Sequence, residues 1–157
     1  MKRIKIPADF FSRNRQSLAK QLKKDSLAII TSNDELTRSG DQNFPYRQNA
    51  DFFYLTGIEQ EKCILSLCPG HPDPKMREVL FSIKPNEQLE TWTGHKYTKA
   101  EIREISGIET VKWLEDYDLS IRDMFLCSAH INLNLNEYNK YLPDVSYRDN
   151  NIVSWFK

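Results

Sequence analysis

The stretch from Thr37 to Gly57, TRSGDQNFPYRQNADFFYLTG, concentrates the residues of this chain best suited to recognition chemistry. Arg38, Asp41, Arg47 and Asp51 set guanidinium forks beside carboxylates, and such groups make the strongest charge-assisted hydrogen bonds open to side chains. They can bind one another in an internal ion-pair network, or they can bind a ligand. Phe44, Tyr46, Phe52, Phe53 and Tyr54 add aromatic faces to the same run. Gly40, Pro45 and Asn49 punctuate it, so most of it fits neither an ordinary helix nor an ordinary strand. Ordering an irregular polar segment costs about 1–2 kcal/mol per residue in conformational entropy, and a long ordered loop is usually functional. The aromatics argue against disorder. The run reads as an ordered loop that faces a ligand or a partner.

The constellations that run catalysis unaided are missing from the sequence. Its three histidines, His71, His95 and His130, have no paired ligand spacing, and there is no HExxH, GxSxG, P-loop or GxGxxG motif. His71, inside PGHPDP, reads as a solvated loop residue, and His130, beside a strand, as a satisfied structural histidine. Asp116 and Asp118 fall near a helix start and read as caps. Cys63, Cys68 and Cys127 are odd in number and lack CxxC spacing, which fits reduced, core-packed thiols rather than a disulfide framework or a zinc site. Cys63 and Cys68 flank a strand-like run and are expected on opposite sheet faces. No catalytic residue and no metal ligand is assigned, and the chain alone is expected to be inactive.

Bulk properties narrow the class further. A chain of 157 residues with 39% hydrophobic content suits a single domain with a real core, spanning 1–157. Its 22 basic and 22 acidic residues cancel, which argues against a dedicated nucleic-acid binder. No run approaches the ~20 apolar residues needed to span a bilayer, so no membrane role is expected. MKRIKIPADFF has no apolar signal core behind its basic residues, and the expected compartment is the cytoplasm. The closing SWFK has no polar tail and reads as a cut partway through a longer protein.

The elements that must position the loop alternate in type. A helix is expected over Ala8–Lys23, with Phe11, Leu18 and Leu22 on one stripe, Lys and Arg elsewhere, and Pro7 at its start. Leu27–Thr31 reads as a buried strand. Asp51–Thr56, β-branched and aromatic, reads as a strand, as do Cys63–Leu67 and Val79–Ile83, the last two joined as a hairpin through PGHPDP. Thr98 and Glu101 have capping-box spacing, and Gly107 suits the end of that helix. Thr110–Trp113 follows as a strand and Asp118–Phe125 as a helix. Ile131, Leu133 and Leu135 alternate with asparagines as a half-buried strand, and Asn136 reads as the cap of a short helix ending before Pro143. Strands interleaved with helices imply an α/β fold with a mixed sheet flanked by helices.

The same run, with the opening FSRNRQSLAKQL, the strand LAIIT and the later ETWTGHKYT, closely resembles the N-terminal domain of Xaa-Pro aminopeptidases. These belong to the creatinase/prolidase superfamily of metallopeptidases. PYRQNADFFYLTG is the specific part, and beyond Gly107 the likeness rests on length and element order. The resemblance implies a non-catalytic α/β domain with ribonuclease H-like layers, joined to a catalytic domain of the pita-bread fold. That second domain would hold two divalent metals, usually manganese, on two aspartates, a histidine and two glutamates. Such a pair activates water by lowering its pKa from ~15.7 towards ~7. None of those ligands can be placed in this chain.

For the residues present, the resemblance implies roles at the cleft edge. Trp92, in TWTG, matches a tryptophan that projects towards the peptide, and Asp41 matches an aspartate near the same cleft. Arg38, Tyr46, Arg47 and Asp51 belong to the loop and to interfaces. The implied partners are the chain's own catalytic domain, a homo-oligomer (dimer or tetramer) and a peptide with proline second. Plainer readings stand beside these: Trp92 as a core or strand-edge aromatic, Asp41 as a turn cap or a partner of Arg38 or Arg47. The sequence departs from the family pattern at IEQEKC, where an acidic, proline-containing turn is common, and at His95–Lys96, where an arginine is common. Competing functions are a non-catalytic, histone-chaperone-like binding module and the N-terminal domain of a prolidase or creatinase.

Overall fold

The structure is a computed structural model, and it describes residues 6–86, 88 and 94–134. Helix α1 covers Ala8–Gln21, entered from Pro7 in extended conformation. Strand β1, Ser26–Thr31, is buried at every position, as its unbroken apolar run requires for a strand covered on both faces. The next segment contains a short antiparallel ribbon, β2 (Thr37–Ser39) and β3 (Gln42–Asn43), turning at Gly40 with φ +54°. Helix α2 (Ala50–Thr56), β4 (Ile64–Leu67) and β5 (Glu78–Ser82) follow. Helix α3 (Lys99–Ser106), β6 (Thr110–Trp113), α4 (Tyr117–Leu126) and β7 (His130–Leu133) complete the described chain. The expected strand end at Leu135 and the helix capped by Asn136 lie outside the described residues.

Asp51–Thr56 is a helix, not the strand its aromatic and β-branched composition suggests. Two local signals outweigh composition. The Asn49 side chain accepts from the amides of Asp51 and Phe52, both at 3.0 Å, which is an N-cap. Gly57 then stops the helix at φ +70°. Burial of Phe52, Leu55 and Thr56 has helical rather than alternating spacing. Gly57 has a second constraint: a Cβ there would meet the Phe11 ring at 2.4 Å.

The sheet runs β6-β5-β4-β1-β7. Antiparallel pairing joins β1 to β4 (Ala28 opposite Leu67) and β4 to β5 (Leu65 opposite Leu80), the latter as the hairpin expected through PGHPDP. The flanking pairs are parallel, β5 with β6 across α3, and β1 with β7. The sheet is therefore mixed, with helices on both faces. One face packs Ala28, Ile30, Leu65 and Leu80 against Phe52, Leu55 and Ile102, with Leu18 of α1 and Leu22 just past its end at the margin. The other packs Leu27, Ile29, Val79 and Phe81 against Tyr117, Ile121 and Met124 of α4. Cys63 and Cys68 fall in these two opposite cores, both buried and neither in a disulfide, while Cys127 is half-buried. Burial pushes the Cys68 thiol up in pKa, so it stays protonated and inert.

Both histidine expectations need correction. His71 is buried, 4% exposed, because α4 packs over the PGHPDP turn, a contact no local pattern announces. Its Nδ1 accepts from the Asp73 amide at 3.1 Å, and its Nε2 lies 3.3 Å from an Asp123 carboxylate oxygen. His130 is exposed on β7 rather than satisfied inside.

Candidate functional site

Polar side chains of the PYRQNADFFYLTG run fasten the loop to the body of the domain. Gln48 uses both ends of its amide: Oε1 accepts from the backbone of Asn33 (3.1 Å) and Asn49 (2.8 Å), and Nε2 donates to the carbonyls of Ile58 (3.0 Å) and Gln60 (2.9 Å). Asn33 returns the tie by donating to the Arg47 carbonyl at 2.9 Å. The Thr56 hydroxyl donates to the Phe52 carbonyl and accepts from the Ile58 amide, turning the chain out of α2. An irregular segment keeps its shape only if its backbone groups find partners, and here Gln48, Asn33 and Asn49 supply many of them. None of the three was singled out as a site residue from the sequence; a run of amide side chains was the available signal.

With the loop fixed, Pro45, Tyr46, Arg47 and Phe53 form one wall of an open cavity of about 570 Å³, completed by Glu59 and Tyr97. The walls offer aromatic faces with one cation and one carboxylate. Tyr46 is half-buried, and its hydroxyl donates to the Asn33 carbonyl at 3.4 Å. Burial, with help from nearby Cys63, raises its pKa far above that of a free phenol, so Tyr46 is a hydrogen-bond donor and no base.

The remaining sequence-derived positions are spread apart. Arg38 and Asp41 lie exposed on the β2–β3 ribbon, and Asp51 sits exposed in the first turn of α2. The internal network considered for Arg38, Asp41, Arg47 and Asp51 does not form: among the described residues none of their side chains makes an ion pair. Trp92 lies outside the described residues, a short step in sequence before Gly94 and Tyr97. Phe44 is 52% exposed beside the ribbon, with its amide on the Leu36 carbonyl.

The turn after α2 and the segment before α3 meet in space. Lys96 and Glu61 form a buried ion pair, at 9% and 7% exposure. Next to it, Gln60 accepts from the Tyr97 amide at 2.7 Å and donates to the Ser82 hydroxyl at 2.8 Å. Thr98 and Glu101 then form the expected capping box at the start of α3, and Gly107 ends it at φ +72°. Hydrogen bonds from Thr98 hold the Glu101 carboxyl below its ordinary pKa.

One further polar residue carries much of the architecture. Arg15, on the same helical stripe as Phe11, Leu18 and Leu22, is 1% exposed. Its Nη1 donates to the carbonyls of Leu55 (2.7 Å) and Ser106 (2.9 Å), at the C-terminal ends of α2 and α3, while Nε pairs with Glu78 of β5 at 2.7 Å. A cation at two helix C-termini also meets their negative dipole ends. Among the described residues no three His, Cys, Asp or Glu groups converge so as to hold an ion, and the residues present do not fit the two-metal centre that the resemblance implies elsewhere.

A mixed sheet flanked by helices, with this capped loop at its edge, defines an α/β domain. The family profile described as "Aminopeptidase P, N-terminal domain" matches residues 11–132, and the chain belongs to that family. The chain is 35% identical over 99 residues to "Xaa-Pro aminopeptidase" of Escherichia coli (strain K12), an alignment covering 63% of this chain and 22% of that protein. It is 25% identical over 147 residues to "Intermediate cleaving peptidase 55" of Saccharomyces cerevisiae, covering 92% of this chain and 24% of the relative. The solved aminopeptidase PepP of Pseudomonas aeruginosa superposes with a TM-score of 0.81 at 25% identity, covering 97% of this chain and 32% of that one. Aminopeptidase P from E. coli with the inhibitor Pro-Leu gives a TM-score of 0.73 at 26% identity, covering 87% and 31%. The chain thus spans under a quarter of these curated relatives' length. No helix among the described residues is long and apolar enough to cross a membrane.

Proposed function

We propose that this chain is the cleft-bordering and oligomerisation domain at the N-terminus of a metal-dependent Xaa-Pro aminopeptidase, which releases an N-terminal residue preceding proline. The observation that carries the reading is the Tyr46–Phe53–Tyr97 groove, built by the PYRQNADFFYLTG run in a chain of this family. An Xaa-Pro bond presents an apolar pyrrolidine ring and no amide N–H, so aromatic faces can hold it without needing a donor to satisfy. Trp92 and Asp41 border the cleft in this reading. Arg38, Tyr46, Arg47 and Asp51 shape the loop and contact neighbouring domains of a cytoplasmic homo-oligomer. The metal centre, two divalent ions that the resemblance gives as manganese, belongs to a separate catalytic domain, and this chain alone is inactive.

The test uses the full-length protein and an Xaa-Pro tripeptide. Trp92→Ala is expected to lower kcat/KM by about two- to tenfold, the size of one aromatic contact. An unchanged value removes Trp92 from the substrate site.

A further inference from the structure

The turn after α2 is the shared support of both walls of the groove. On one side, Gln48 donates to the Ile58 and Gln60 carbonyls and so ties the Pro45–Arg47 wall to this turn. On the other, Gln60 accepts from the Tyr97 amide and Glu61 binds Lys96, tying down the Tyr97 wall. Gln60 reaches on to Ser82 at the end of β5, so the turn is itself anchored to the sheet. Groove width is therefore set by the side-chain and backbone contacts of one short turn.

The ion pair has a cost that demands a reason. Glu61 and Lys96 are both nine-tenths buried, and a charge moved out of water is costly unless paired. Such a pair adds little net stability, but it admits few alternative geometries, since either charge alone would be stranded.

We propose that Glu61, Lys96 and Gln60 are positioning residues, a latch that fixes the Tyr97 wall and thereby sets the grip of the groove on the apolar part of a peptide. This rests on the reading of the groove as the edge of the substrate cleft. The latch makes no contact with reacting atoms. Its loss weakens ground-state and transition-state binding alike, which raises KM and leaves kcat in place.

The experiment compares full-length wild type with Lys96→Met, Glu61→Gln and the charge-reversed double variant E61K/K96E. Each single variant is expected to raise KM for an Xaa-Pro tripeptide by about five- to tenfold with kcat within about twofold, and the double variant to recover most of the loss. Amide exchange at Tyr97, whose N–H is held by Gln60, should quicken in Lys96→Met. If Lys96→Met does not fold, Lys96→Arg, which keeps the charge but changes its reach, carries the same comparison. Unchanged exchange at Tyr97 overturns the latch, and so does faster exchange with an unchanged KM. If the wild-type protein cleaves no Xaa-Pro peptide, the substrate reading falls instead, and the latch stands or falls on Tyr97 exchange alone.

Discussion

Two arginines of this domain, one buried and one exposed, show how differently one residue type can be used. Arg15 is sealed beneath α1, its guanidinium spent on two helix-end carbonyls and one carboxylate. Arg38 stands in water on a ribbon only a few residues long, with no ion pair among the described residues. A buried cation is tolerated only where donors are aimed at fixed acceptors, so Arg15 is locked by the fold and in turn locks it. An exposed one contributes little to stability and is free to meet something else. The lesson is that charge in this chain divides into architecture and recognition by burial, not by sequence neighbourhood.

The sharpest way to break that contrast is to remove Arg15. Arg15→Met leaves the buried carbonyls of Leu55 and Ser106 without a donor and Glu78 without its cation. The expected loss is about 3–5 kcal/mol, roughly a 10–15 °C fall in Tm for a domain of this size. A loss under about 1 kcal/mol, measured by urea denaturation, would show the hub to be redundant.

The capping box is an intermediate case, a charged contact at the surface with a fixed partner. Thr98→Ala is expected to cost about 1 kcal/mol. Because the folded-state pKa of Glu101 lies below its unfolded value, its contribution is present above the unfolded pKa of about 4.3 and is lost as pH falls through the folded value. The stability gap between wild type and Thr98→Ala should therefore narrow below about pH 4. Urea midpoints across pH 3–7 check this, and a gap independent of pH removes the carboxylate from the cap.

The smallest stability effect is expected on the ribbon. Arg38→Ala and Asp41→Ala should each change stability by under about 0.5 kcal/mol, while lowering kcat/KM of the full-length protein on Xaa-Pro peptides. Destabilisation above about 1 kcal/mol would place these residues with Arg15 rather than opposite it.

How much of this was legible in the sequence follows the same division between local and distant causes. Elements with local punctuation were readable: α1 behind Pro7, the PGHPDP hairpin, and α3 between the Thr98–Glu101 box and Gly107. The family, too, was readable, from the loop itself. Composition misled at Asp51–Thr56, where Asn49 and Gly57 were the better guides because caps act on the backbone directly. His71 was misjudged because its burial comes from α4, far along the chain. Arg15 lay in plain view on the apolar stripe of α1, yet nothing nearby named its acceptors on α2 and α3. The Glu61–Lys96 pair was visible only as two unrelated oddities until the fold brought them together.

The parallel partnership of β1 with β7 has a bearing on how such a domain is made. Leu27 of the first described strand lies beside Ile131 of the last described one, so the ribosome must release almost everything between them before that edge is covered. Pairings so distant in sequence form slowly, and until then a nascent chain displays an open strand edge of apolar residues, the surface on which aggregation starts. Synthesis of this domain should accordingly lean on chaperones during its final stretch, with co-translational aggregation rising when they are depleted.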